Sequence, residues 1–237
     1  MFILIRQLRS IALCFACFFS VSHSSFAAES TVAIPASFGE SRATFIEKLR
    51  FPNHDNAPAI LIKCGVSVQF GGVMSGAVCF SNEDHIIETR MRQLIVRASK
   101  TTRIRPATID GKEHIVWFNF SIIYSQENGI KSIEILENQL LDIESLGPHY
   151  VAAQRSHSKQ DLFCFDWREL PISILARISA EGQVTDITLS KDPKNNQCAD
   201  EIEKLVRKSI FIPATAEGNA VASTYNEVFH HYIYDPF

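Results

Sequence analysis

Pro106-Ala107-Thr108-Ile109-Asp110-Gly111 returns later in the chain as Pro213-Ala214-Thr215-Ala216-Glu217-Gly218. A repeat of this kind commits the chain to building one kind of unit twice, so what surrounds the first copy should surround the second. Upstream of each copy the apolar residues keep a helical period. They are Ile87, Met91, Leu94, Ile95 and Ala98 before the first, and Cys198, Ile202, Leu205 and Val206 before the second. At the offset of the motif Met91 matches Cys198, Ile95 matches Ile202 and Ala98 matches Leu205, so the apolar stripes coincide as well. Ser81-Asn82-Glu83-Asp84 and Asn195-Asn196 supply candidate caps at the two helix starts.

Further upstream, Val66, Val68 and Phe70 alternate ahead of Gly71-Gly72, and Ile172, Ile174, Ala176 and Ile178 alternate ahead of Glu181-Gly182. Each is the pattern of a strand entering a tight hairpin turn. Downstream of each Pro-Ala-Thr a long strand is expected, 112–124 in the first copy, with Val116, Phe118, Phe120 and Ile122 on one face, and 219–234 in the second. The proline stops the helix, and Asp110-Gly111 or Glu217-Gly218 turns the chain into that strand. The predicted class is therefore α+β: two similar strand-strand-helix-strand units, each an antiparallel three-stranded sheet covered by one helix. The expected units span 58–124 and 166–237. A lead-in of residues 28–57 precedes them and a linker, 125–165, joins them, in which Ile130 to Leu136 can add a strand.

Arg6 and Arg9, the apolar run from Ile11 to Val21 and the small residues of Ser25-Phe26-Ala27 read as an export signal over residues 1–27. Cleavage after Ala27 is the expected processing. The alternatives are an uncleaved anchor, for which the apolar run is short, and lipid attachment at Cys17. Cleavage leaves 21 basic against 26 acidic residues, a balance that recruits neither nucleic acid nor an anionic membrane.

Four cysteines lie beyond the signal, Cys64, Cys79, Cys164 and Cys198, and an exported chain meets an oxidising compartment. With Gly71-Gly72 as a two-residue turn, Phe70 faces Val73, Val68 faces Ser75, Val66 faces Ala77 and Cys64 faces Cys79. Cys164 and Cys198 come to one end of the second sheet by the same logic. The expected bridges are Cys64–Cys79 and Cys164–Cys198, against the alternative of four buried thiols. His230 and His231 are neighbours on a strand and point to opposite faces, and His54, His85, His114, His149 and His157 are isolated, so no metal or cofactor is expected. Arg90, Arg92, Arg97, Lys100, Arg103 and Arg105 form a basic run, read as a solvated helix face ahead of a polyanion site. Trp117, Phe118 and Phe120 read as core ahead of a partner grip. No nucleophile elbow, phosphate loop, zinc-protease or heme motif occurs beyond the signal.

The order of hairpin, helix, Pro-Ala pair, Gly turn and long strand, carried by Pro106, Ala107, Asp110, Gly111, Pro213, Ala214, Glu217 and Gly218, resembles the TonB C-terminal domain family, in two degenerate tandem copies. The resemblance implies a periplasmic, envelope-associated binding module rather than an enzyme, whose partner is a protein or an extended peptide of the periplasm or outer membrane. Neither the family's membrane-spanning helix nor its proline-rich spacer is expected here. The expected mode is strand addition at the edge of the last strand, around Tyr225, Val228, Tyr232 and Tyr234. The alternative is a periplasmic hydrolase whose site the sequence does not display.

Overall fold

Every second residue of the strand Ile172–Ile178 is buried, and in the strand Val116–Glu127 the first seven in a row are, which tells at once that this part of the second strand has packing on both faces. The structure is a computed structural model that describes residues 32–51, 59–81, 86–156, 171–194 and 196–229. In chain order the elements are β1 (Ala33–Ile34), α1 (Ser41–Lys48), β2 (Ile60–Val68), β3 (Met74–Ser81), α2 (Ile86–Thr101), β4 (Ala107–Ile109), β5 (Lys112–His114), β6 (Val116–Glu127), β7 (Ile130–Leu136), α3 (Ile143–Leu146) and β8 (Gln154–Ser156). These are followed by β9 (Ile172–Ile178), β10 (Val184–Leu189), α4 (Gln197–Lys208), β11 (Phe211–Ile212), β12 (Ala214–Ala216), β13 (Asn219–Val221) and β14 (Ser223–Phe229).

The fold is mixed α+β, and every strand pair is antiparallel. The larger sheet runs β11-β8-β6-β2-β3, with β7 also on β6, and a second sheet runs β10-β9-β14. One face of the larger sheet carries Ile62, Cys64, Val66 and Val68 of β2 and Val116, Phe118, Phe120 and Ile122 of β6. These form a single core with Met91, Ile95 and Ala98 of α2. Phe38 and Phe45, from the lead-in, close that core. Phe38 lies 4.8 Å from Phe45 and 5.3 Å from Phe120 between ring centroids, within the range of favourable aromatic pairing. The side chain of Ile87 lies outside the described residues.

The opposite face of β6 explains its two-sided burial. Trp117 points there, into a second core built by Ile172, Ile174, Ala176 and Ile178 of β9 with Cys198, Ile202 and Val206 of α4. Asn196 caps α4, its side-chain oxygen accepting from the Ala199 amide at 2.9 Å, as expected of the Asn195-Asn196 pair. The proposed cap residues 82–84 lie outside the described residues.

Three expectations are corrected. The segment 125–165, read as a linker, is built into the sheet as far as residue 156, because β7 and β8 both pair with β6 and bury Ile135, Leu136 and Arg155. Residues 166–237 do not hold their own core. Tyr150, Ala152, Ala153 and Trp117 complete it, and residues 31–237 form one compact unit. The Gly71-Gly72 turn has three residues, not two: the Gln69 amide donates to the Val73 carbonyl at 2.8 Å, so Val68 pairs with Met74 and Phe70 is exposed. A bulge in β3, where Val66 opposes both Gly76 and Ala77, then restores the register, and Cys64 does pair with Cys79.

After each helix the elements recur at the spacing of the motif. β4 and β5 reappear at that offset as β12 and β13, and β6 and β14 begin at Val116 and Ser223. Both hairpins turn through two positive-φ residues, Asp110 (49°) with Gly111 (76°) and Glu217 (51°) with Gly218 (81°). Each Pro-Ala segment also pairs with an earlier strand. Ser37 bridges Arg105 and β1 pairs β4, as Val151 bridges Thr215 and β8 pairs β11.

Candidate functional site

β3 is the last strand of the larger sheet, and among the described residues no strand pairs with its outer side. Cys64 and Cys79 are joined by a disulfide with Cα atoms 4.1 Å apart. Such a close rung belongs to the non-hydrogen-bonded pairs of an antiparallel ladder, where both residues turn their amide and carbonyl away from each other. The Cys79 N–H and C=O therefore face outward from the sheet. α2 packs against β3 and β2, and between helix and edge strand runs an open groove of about 470 Å³. Ala77, Val78 and Cys79 form its strand side, and Thr89, Arg92, Gln93, Val96, Arg97 and Lys100 its helix side.

The helix residues recur at three- and four-residue spacing, the period that puts side chains in one row along a helix. That row flanks the buried stripe of Met91, Ile95 and Ala98, which explains why one helix can close the core and wall the groove. Arg97 and Lys100 are exposed. Arg92 is half-buried and donates to the Thr89 hydroxyl at 3.1 Å. The strand side offers small apolar surface and the disulfide, so the groove joins outward backbone groups, an apolar floor and a basic rim. In the sequence alone this basic run has the pattern of a solvated helix face. The signal it held was the spacing of 89, 93, 97 and 100, beside a hairpin.

The predicted binding edge is placed differently. Tyr225 is buried in the second core, and its hydroxyl donates to Glu227 at 2.5 Å. The outer side of β14 is occupied at two points by the chain itself. The Thr224 amide donates to Asp142 Oδ2 at 2.5 Å, and Asn119 Nδ2 donates to the Asn226 carbonyl at 2.6 Å. Val228 is half-buried, and Tyr232 and Tyr234 lie outside the described residues. The motif residues lie in the two small hairpins: Ala107 and Ala214 are buried, Asp110, Gly111, Glu217 and Gly218 form the turns, and none lines the groove.

Cys198 is disulfide-bonded, and Cys164 lies outside the described residues. So do residues 1–27 and His54, His85, His157, His230 and His231. His114 approaches the Ser156 hydroxyl at 3.3 Å, and His149 is exposed. Trp117 is core, its ring lying against Gly65 on the neighbouring strand. Among the described residues no three His, Cys, Asp or Glu side chains are grouped to hold a metal ion, and no helix is long and apolar enough to cross a membrane.

The buried phenols give the fold a pH signature. Burial raises Tyr225 well above the usual tyrosine value, and the Glu227 carboxylate adds to the effect. Burial raises Tyr124 likewise and pushes Tyr150 up to about 12. In the unfolded chain these groups lose their protons near pH 10, while in the folded chain they hold them. Above that pH the folded state binds more protons, and stability must fall as pH rises, by about 1.4 kcal/mol per pH unit for each such phenol. Below pH 10 they contribute no slope. Urea titrations at successive alkaline pH values should show the midpoint falling while phenolate absorbance rises with unfolding. A midpoint flat through this window would refute the assignment.

No protein-family model matches the chain, and no curated protein or solved structure matches it.

Proposed function

We propose that this is an exported protein-binding module of the cell envelope, made of two TonB C-terminal-like units in tandem, that takes an extended segment of its partner as an added strand. The tandem reading is supported by the recurrence, at the offset of the motif, of helix end, Pro-Ala pairing, two-residue turn and long strand. In it β2, β3, α2 and β6 answer to β9, β10, α4 and β14. The periplasmic setting is supported by the disulfide Cys64–Cys79, since such bonds persist in oxidising compartments.

The observation that carries the binding mode is the outward-facing backbone of Cys79 beside an open groove. An unpaired edge strand offers main-chain donors and acceptors to any extended peptide, and the groove provides room for its alternate side chains. We assign the addition to β3 in place of β14, because Asp142 and Asn119 already hold the β14 edge. The partner is a protein or extended peptide of the periplasm or outer membrane.

Amide exchange tests the assignment directly. With a captured partner bound, the Cys79 amide should become strongly protected while amides of β14 keep their rates, and Val228→Pro should leave capture unchanged. Protection that develops on β14 instead, with Cys79 unaffected, would reject the β3 edge.

A further inference from the structure

We infer that the groove between β3 and α2 selects an extended peptide with acidic side chains at alternate positions; this rests on strand addition at β3 and adds the chemistry of the partner. Among the described residues, those lining the groove include Arg92, Arg97 and Lys100 and no carboxylate. Arg92 already has partners within the chain, so the selectivity lies chiefly with the exposed Arg97 and Lys100.

The spacing suits a strand. From Arg92 to Lys100 the helix rises about 12 Å. An extended peptide covers about 13 Å in four residues, and its side chains return to one face every second residue. A peptide paired to β3 would send that alternate set toward α2, so carboxylates at i, i+2 and i+4 meet the row of cations. The other set would leave the groove on the far face. Small residues are required against the floor of Ala77, Val96 and the Cys79 disulfide.

The chain as a whole carries a formal charge of −3, so attraction for an acidic partner is local to this rim. Rim charges in such a setting act over about a Debye length and weaken with salt. A general polyanion surface needs no strand edge and no apolar floor, and it would take any dense negative charge alike.

A displayed library of random ten-residue peptides, selected on the intact oxidised protein, tests the inference. Enriched sequences should carry Asp or Glu at alternate positions. A synthetic copy of one should bind about tenfold more weakly to the R97E/K100E double variant, and more weakly to wild type at raised salt. Both side chains are exposed, so the double variant should keep the wild-type urea midpoint, and R97Q/K100Q should show a smaller loss. If enriched peptides lack acidic residues and bind the double variant equally, yet protect the Cys79 amide, strand addition stands and the acidic selectivity is overturned. If no peptide enriches, both fall. If heparin or phosphatidylglycerol vesicles displace the peptide at matched charge, the rim is a polyanion surface and the inference is overturned.

Discussion

Arg155→Met is expected to lower the stability of the fold by about 3–5 kcal/mol, while Arg155→Met combined with Glu227→Leu should recover part of that loss. Arg155 is 1% exposed and Glu227 2%. The guanidinium meets the carboxylate through two bonds, Nε to Oε2 at 2.8 Å and the terminal nitrogen to Oε1 at 2.9 Å. Tyr225 donates to the same carboxylate, and Phe229 lies beneath the guanidinium with its centroid 5.5 Å away. Removing the arginine alone strands a buried negative charge, which costs far more than the net worth of the pair. Removing both charges takes that penalty away but leaves the buried Tyr225 hydroxyl without its acceptor, at about 1–3 kcal/mol, besides the repacking. The pair joins β8 of the larger sheet to β14 of the smaller one, so a fragment of residues 166–237 keeps Glu227 without its cation and should not fold alone. Urea unfolding of the three chains decides the matter. A single-variant loss within about 1 kcal/mol, or a folded fragment, would mean that the two sheets are energetically separate.

The parts of this fold that were legible in the sequence are those whose signal is local and periodic. Ile172, Ile174, Ala176 and Ile178 alternate and are all buried, and Met91, Ile95 and Ala98 of one helix and Cys198, Ile202 and Val206 of the other enter the cores where the 3.6-residue period puts them. The Cys64–Cys79 rung keeps the register of a two-residue turn because two departures from that simple hairpin offset each other. The turn is one residue longer than Gly71-Gly72 implies, and the bulge at Gly76 and Ala77 returns that residue to the register. Nothing local announces a bulge of this kind beyond one glycine in a strand. β1 and β8, with two and three residues, are too short to show any period, yet they pair the Pro-Ala segments of both copies. Their fixing contacts are long-range. Gln154 holds the backbone of Ala36 through both its amide atoms, 2.8 and 2.7 Å across 118 residues of chain. Nothing local marks Arg155 as buried, since Glu227 lies 72 residues away. The groove escaped for the same reason, since a basic row becomes a rim only once a strand edge is laid beside it.

Gly72→Ala is expected to destabilise the fold by about 4 kcal/mol or more, Gly182→Ala by somewhat less, and Gly111→Ala by about 1 kcal/mol. All three residues have positive φ, 73°, 78° and 76°, so a side chain costs backbone strain at each. What separates them is the approach of another backbone. A Cβ on Gly72 would stand 1.7 Å from the Ile104 carbonyl oxygen, and one on Gly182 would stand 2.4 Å from that of Phe211, whereas one on Gly111 meets nothing within 4 Å. At Gly72 the obstacle cannot rotate away, because the Ile104 amide also donates to the Gly72 carbonyl at 2.9 Å and Val73 bridges Arg103 beside it. Accommodating the methyl group means pulling the hairpin turn off the segment that leads into Pro106. Ile104 and Phe211 are themselves separated by the spacing of the motif, each standing two residues before its proline, so the two glycines do the same thing at the same place in each copy. Each lets the first hairpin close onto the segment that precedes the Pro-Ala pair. Chemical denaturation of the three single variants should therefore rank them Gly72, Gly182, Gly111 in order of loss. Equal losses at Gly72 and Gly111 would show that positive φ alone sets the cost and that the backbone contact carries none of it.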